Sequence, residues 1–97
     1  MKKNALKLTE KDNVATALDD IAVGDTVAVA DAEGHETDEL SSSSEISRGH
    51  KIALRDMTEG EHAVKYGFEI GVITKTVHRG ELVHVDNLAS ARGRGDL

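Results

Sequence analysis

"RGHKIALRDMTEGEHAVKYG", residues 48–67, is the stretch on which the fold turns. Its middle repeats an earlier one: "ALRDMTEGEHA" at 53–63 aligns with "ALDDIAVGDTV" at 17–27. The shared positions are Ala17/Ala53, Leu18/Leu54, Asp20/Asp56, Ile21/Met57, Gly24/Gly60 and the acids Asp25/Glu61. A shorter copy, "VHRGELV" at 77–83, keeps the pattern apolar-x-x-Gly-acid-x-apolar. In such a unit the Gly supplies a backbone position with φ > 0 in a tight turn. The apolar residue three before it plugs the core, and the one after the acid starts the next strand. Gly24, Gly60 and Gly80 recur at unequal separations, which excludes a regular solenoid. Three such turns in a short chain predict a compact set of folded-over hairpins.

Working outward, β-branched runs bounded by Gly or acidic turns predict strands in "TVAVA" (26–30), "KIAL" (51–54), "EIGVITKTV" (69–77) and "LVHV" (82–85). "NVATALDDI", from residue 13, reads as one short helix capped by Asn13, although its Ala15/Ala17 alternation suits a strand equally. The class is mainly β. Residues 1–12 read as a lead-in, 13–92 as the folded domain and 93–97 as a tail. Within the domain, 31–47 reads as an acidic, Ser-rich loop carrying Asp31, Glu33, Glu36, Asp38, Glu39 and Glu45. The triplet Arg94-Gly95-Asp96 is too short to carry a reading.

Composition bounds the function. Ninety-seven residues make one small domain, and with 2 % aromatic residues its core must be built from Val, Ile, Leu and Ala. Absence of Cys excludes a disulfide framework and a thiolate zinc site. A formal charge of −6 argues against nucleic acid as a partner. No apolar run approaches the roughly 18 residues of a membrane span, and "MKKNALKLTEKDN" lacks the apolar segment of a secretory signal. The expected setting is cytoplasmic, with no membrane partner.

The apolar-x-x-Gly-acid turns resemble the SAF domain, a β-clip module of short strands and hairpins. More narrowly, residues 49–90 resemble the N-terminal domain of the altronate and galactarate dehydratase family, which includes enzymes split into small and large subunits such as sulfolactate sulfo-lyase. The resemblance rests on Gly49-His50-Lys51 followed by Ala53-Leu54-x-Asp56, and on Lys65-Tyr66-Gly67 followed by Ile70-Gly71. It spans residues 13–92. The chain departs from it at His84-Val85-Asp86-Asn87, where family members often read His-x-His-Asn.

The resemblance implies the small subunit of a two-subunit hydro-lyase or sulfo-lyase, with a large catalytic subunit as partner. Its substrate would be a small anionic sugar acid such as altronate, or sulfolactate. The implied reaction is β-elimination: a proton leaves the carbon beside the carboxylate, and hydroxide or sulfite departs. That chemistry needs cations for the carboxylate and its enolate-like transition state, a base near neutral pKa, and an acid for the leaving group. His50 and Lys51 are the expected catalytic pair, with Lys65, Tyr66, His84 and Asn87 binding substrate. A divalent metal, iron in the family, is expected to be held mainly by the large subunit, for no complete donor set is legible here.

Each residue also has a plain structural reading. His50-Lys51 would be polar residues opening a strand, Tyr66 a half-buried hairpin end beside a solvated Lys65, and His84 an ordinary strand histidine. His35, His62 and His78 read as surface bystanders, and Arg92 and Arg94 as tail cations. The alternative function is a free-standing carbohydrate-binding SAF module.

Overall fold

The structure, a computed structural model, describes residues 2–90 and contains nine strands and no helix among them. They are β1 (Lys2–Leu6), β2 (Val14–Ala17), β3 (Thr26–Ala30), β4 (Glu36–Ser41), β5 (Lys51–Ala53), β6 (His62–Lys65), β7 (Phe68–Ile73), β8 (Leu82–Val83) and β9 (Leu88–Ser90). A six-stranded sheet runs β4-β3-β1-β2-β5-β8, and a three-stranded sheet runs β6-β7-β9. Every pairing is antiparallel except β1 with β3. The mainly β class expected for a SAF-like domain is what the chain adopts.

Side-chain alternation sorts the large sheet into two faces. Ala5, Ala15, Ala17, Val27, Val29, Leu40 and Ile52 point into one core, closed by Ile21, Ile46 and Leu54. Val14, Ala53 and Val83 point the other way, against Ala63, Ile73, Leu88, Met57 and Val77 of the second layer. On the inner strands β2 and β5, where residues of both faces are buried, Ala15, Ala17 and Ala53 fit the little room there is for bulk.

The repeated turns share one construction. In each, the acid's side chain accepts the backbone N–H three residues earlier: Ala22 to Asp25 at 2.9 Å, Thr58 to Glu61 at 2.6 Å and His78 to Glu81 at 2.6 Å. The acid's own N–H donates back to the same residue's carbonyl at 3.0–3.1 Å. The intervening glycines all sit at φ of 90–95°. A fourth turn, Ile46-Ser47-Arg48-Gly49-His50, has the same backbone: Gly49 is at φ 90° and His50 N–H donates to Ser47 O at 2.9 Å.

These four turns pair two by two. Ile21 exchanges both backbone hydrogen bonds with Ile46, and Met57 does so with Val77. Asp20 accepts from Arg48 N–H at 2.9 Å, and Asp56 accepts from Arg79 N–H at 2.8 Å. Gly49 N–H reaches Ala17 O, as Gly80 N–H reaches Ala53 O. The domain is thus two similar halves, and the turn at 77–81 is the counterpart of 46–50. Sequence reading missed the copy at 46–50 because His50 stands where the other three turns carry an acid.

Other expectations are corrected. "NVATALDDI" forms strand β2 and no helix, since Val14 faces one core while Ala15 and Ala17 face the other. Asn13 caps nothing helical. Residues 1–12 are no lead-in, because β1 lies between β2 and β3 and only its small Ala5 is buried. The acidic 31–47 segment contains β4, an edge strand whose single buried side chain is Leu40. Charges along an exposed edge oppose pairing with other chains. Arg79 anchors this strand, with Nη1 2.7 Å and Nη2 3.0 Å from the Asp38 carboxylate and further bonds to Leu54 O and Glu39 O. The expected tail at 93–97, with Arg92 and Arg94, lies outside the described residues.

Candidate functional site

The two ends of the 48–67 stretch meet beside β2. On the face that carries Val14 and Ala53, the next positions along β2 and β5 are Thr16 and Lys51, which are cross-strand partners. They lie beyond the apolar cover of the second core, and both are half-buried. The β6–β7 hairpin reaches the same place. Its two-residue turn, Tyr66-Gly67, has φ of 55° and 83°, the left-handed pair of a type I′ turn.

Tyr is a poor choice for that turn, where Asn or Asp is preferred at the first position, and left-handed backbone strains a residue with a bulky side chain. Its side chain accounts for the choice. The Tyr66 hydroxyl donates to Thr16 Oγ1 at 2.9 Å, and Lys65 Nζ sits 5.1 Å from the Tyr66 ring centroid. The turn is held from below by Asp12, whose Oδ1 accepts Gly67 N–H at 2.8 Å and the Thr9 hydroxyl at 2.8 Å. Burial would raise the Asp12 carboxyl, but donors from Gly67, Thr9 and Leu8 outweigh it and hold the group below its usual value.

Thr16, Lys51, Lys65 and Tyr66 therefore form one polar rim. Burial pushes the Lys51 ammonium down from its ordinary value, and the neighbouring Lys65 charge pushes it further. No carboxylate among the described residues pairs with either lysine.

A second cluster lies one position along the same ladder. Lys51 pairs with Val83 across β5–β8, and the residues flanking that pair, His50 and His84, bring their rings to 4.8 Å in an edge-on contact at 70°. His50 Nδ1 is 3.2 Å from Ser47 O. A carbonyl oxygen only accepts, so the Nδ1–H tautomer satisfies this contact and leaves Nε2 with a lone pair.

Asn87 plays a supporting part. Its Oδ1 accepts His84 N–H and its Nδ2 donates to Leu82 O, both at 2.9 Å, which closes the turn that carries His84. Asp86 is exposed on that turn. Two imidazoles are too few to hold a divalent ion, and the group of three or more potential ligands found among the described residues is elsewhere, at Asp31, Glu33 and His35. There Asp31 Oδ1 already accepts the backbone N–H groups of Glu33 and His35. The residues present at the His50/His84 cluster do not fit a metal centre by themselves.

Of the six site residues singled out from sequence, five gather into two adjoining clusters and Asn87 supports one of them from behind. His35, His62 and His78 lie at the surface beside Asp31, Glu69 and Asp56. Sequence reasoning missed Thr16, the hub that joins the hairpin to β5. Its one signal was being the only hydroxyl in the otherwise apolar "VATA" of β2.

Known proteins agree with this architecture. The family model described as the altronate/galactarate dehydratase SAF domain matches residues 3–91. The chain is 38 % identical over 85 residues to an altronate dehydratase of Bacillus subtilis, a match covering 88 % of this chain and 16 % of that one. It is 35 % identical over 82 residues to an altronate dehydratase of Escherichia coli, covering 84 % and 15 % of the two chains. With the (2R)-sulfolactate sulfo-lyase subunit alpha of Chromohalobacter salexigens it shares 43 % identity over 47 residues, 48 % of this chain and 50 % of that subunit. The match thus spans about a sixth of the dehydratases and half of the sulfo-lyase subunit. By a family match that runs through both halves of the fold, the chain belongs to the altronate/galactarate dehydratase SAF domains.

Proposed function

We propose that this chain is the small, substrate-holding component of a carbon–oxygen or carbon–sulfur lyase, completed by a large catalytic subunit. The observation that carries the reading is the convergence of Lys51, Lys65 and Tyr66 on Thr16, from both ends of one stretch of sequence. The family match supports the reaction class, and the small share of the dehydratases spanned by the match supports a larger partner. A relative named subunit alpha of a sulfo-lyase supports a split enzyme.

The residues suit an elimination. The ammonium groups of Lys51 and Lys65 hold the carboxylate of a hydroxy acid, and charge that builds on that carboxylate as the neighbouring carbon loses its proton is stabilised there. Tyr66 and Thr16 offer hydroxyls to the substrate's own. His50, with Nδ1–H turned to Ser47 O, presents Nε2 as a proton acceptor. His84 lies against the His50 ring and restrains it. A divalent ion is assigned to the partner's side, since His50 and His84 offer only two donors among the described residues of this site, and we place the assembly in the cytoplasm, consistent with a fold that relies on no disulfide.

The test is reconstitution with a dehydratase-type large subunit, followed by turnover of altronate, galactarate and sulfolactate. His50→Ala and Lys65→Ala are each expected to lower kcat/KM by about 100-fold or more, the scale of a lost acid–base or transition-state contact. Unchanged turnover in both variants would remove the site. Binding of sugar acids without any partner-dependent turnover would instead favour a carbohydrate-binding module.

A further inference from the structure

Two hydrogen-bonded turns bound the candidate site, and each holds a large apolar side chain out in solvent. Tyr66, Thr16, Lys51 and Val83 form a row: the Tyr66 hydroxyl meets Thr16, Thr16 pairs with Lys51 across β2–β5, and Lys51 pairs with Val83 across β5–β8. Neighbouring strands lie about 4.8 Å apart, so the row from β2 to β8 is about 10 Å wide. At the hairpin end stands Phe68, the cross-strand partner of Lys65, which leaves the hairpin on the same face as that lysine. At the other end is Val85, two residues beyond Val83, on the turn that Asn87 closes. Val85 is 76 % and Phe68 74 % exposed, the highest values for large apolar side chains among the described residues. Leu18, two residues past Thr16, is a third at 43 %.

Apolar side chains scattered singly over a surface need no explanation. These three adjoin one row, and the two most exposed are rigidly presented. The Phe68 turn is pinned by the Tyr66–Thr16 and Asp12–Gly67 bonds, and the Val85 turn by both functions of the Asn87 amide. An apolar side chain carried on a fixed backbone loses little further freedom when a partner covers it, which is the property of an interface anchor.

We infer that Phe68 and Val85 are the anchors on which the large catalytic subunit docks, bracketing the polar row and sealing it from water. The inference rests on the small-subunit reading and names its docking surface. The matched dehydratases carry this domain as about a sixth of their length, so the greater part of such an enzyme lies outside it. Whatever closes over Tyr66 and Thr16 also meets Phe68, which shares the hairpin tip with Tyr66. A second copy of this chain fits the surface less well, since a two-fold contact would set the Lys51 row of one copy against the same row of the other, like charge facing like.

The experiment measures assembly of the full 97-residue chain with the large subunit that reconstitutes turnover, by titration calorimetry, together with kcat at saturating large subunit. Phe68→Ala is expected to weaken assembly by at least about 30-fold, the scale of an interface hot spot. Val85→Ala removes less apolar surface and should weaken it about fivefold. Both variants should keep a thermal midpoint within about 3 °C of wild type, since neither side chain is packed in the fold. With the large subunit in excess, kcat should return to within about twofold of wild type, a recovery that a catalytic or folding defect does not allow. Val23→Ala, at a side chain 63 % exposed on the first repeat turn, should assemble as wild type does. Wild-type affinity in both anchor variants overturns the inference, as do an equal loss in Val23→Ala and a kcat that stays low at saturation. A dimer of the isolated chain that Phe68→Ala dissociates also overturns it and assigns the surface to a second copy. If the wild-type pair turns over while the anchor variants assemble normally, this inference fails and the lyase reading stands; absence of turnover in the wild-type pair sinks both.

Discussion

Tyr66 shows how one residue can subordinate local preference to a tertiary contact. A type I′ turn favours Asn at the first of its two positions, yet this turn carries a Tyr at φ 55°, anchored through its hydroxyl on Thr16. Tyr66→Asn should leave the fold as stable or stabilise it by up to about 1 kcal/mol, through relief of backbone strain. The same change should weaken sugar-acid binding, so that urea denaturation and ligand titration move in opposite directions. Asp12, beneath the same turn, gives a pH signature. Its carboxyl is held below the ordinary value near 3.8, so its contribution is complete above that value and is lost as pH falls through the lower folded value. Acid unfolding should therefore steepen below about pH 4, and Asp12→Asn should flatten that limb; an identical acid limb in wild type and variant would show that Asp12 does not govern it.

At the scale of the element, the four turns form a controlled comparison within one chain. Three have an acid that accepts an N–H three residues back, and the fourth has His50, which turns Nδ1 to a carbonyl. A turn that gives up its stabilising carboxylate beside a candidate site fits the general observation that local rules are broken where function demands it. His50→Asp restores the pattern. It is expected to raise stability by about 0.5–1.5 kcal/mol, the net worth of one such hydrogen bond, while abolishing turnover of the reconstituted enzyme. Thermal unfolding and activity measured on the same sample check both halves of that statement. Gly71 illustrates the opposite constraint, for a Cβ there would strike Ala89 O and come within 2.9 Å of Ser90 Cα, so β9 can lie against β7 only if that side chain is absent.

For the whole molecule, Asn13 is the residue that ties the two sheets together. It is 5 % exposed, and all four of its polar functions are engaged. Its backbone N–H reaches Val64 O and its carbonyl accepts from Leu54 N–H, while Nδ2 donates to His62 O and Oδ1 accepts from Val64 N–H at 2.7 Å. The side chain thus serves β6 in place of a neighbouring strand. Asn13→Ala should destabilise the fold by about 2–4 kcal/mol, because Val64 N–H and His62 O are left without their partner in a partly buried setting. Amide hydrogen exchange should accelerate first in β6. Uniform exchange across both sheets would argue that the junction is held elsewhere.

The legible part of the fold was its local chemistry. Apolar-x-x-Gly-acid spacing reports a turn because the glycine conformation and the acid's reach to an amide three residues away are short-range requirements. The strand over "TVAVA" and the resemblance carried by Gly49-His50-Lys51 and Lys65-Tyr66-Gly67 were likewise legible as contiguous residues. β1, β4 and β9 were hidden, since a strand that buries a single side chain has little pattern of its own. The roles of Asn13 and Thr16 were hidden for a related reason. Their partners lie about 50 residues away, at Val64 and Tyr66, and hydrogen bonds across that distance leave no mark in sequence spacing. The sequence by itself determined three of the four turns, the β class and the family, because each depends on neighbouring residues. Only the tertiary structure decided that the two ends of the 48–67 stretch share one rim with Thr16, because closing that rim requires the second sheet to pack on the first.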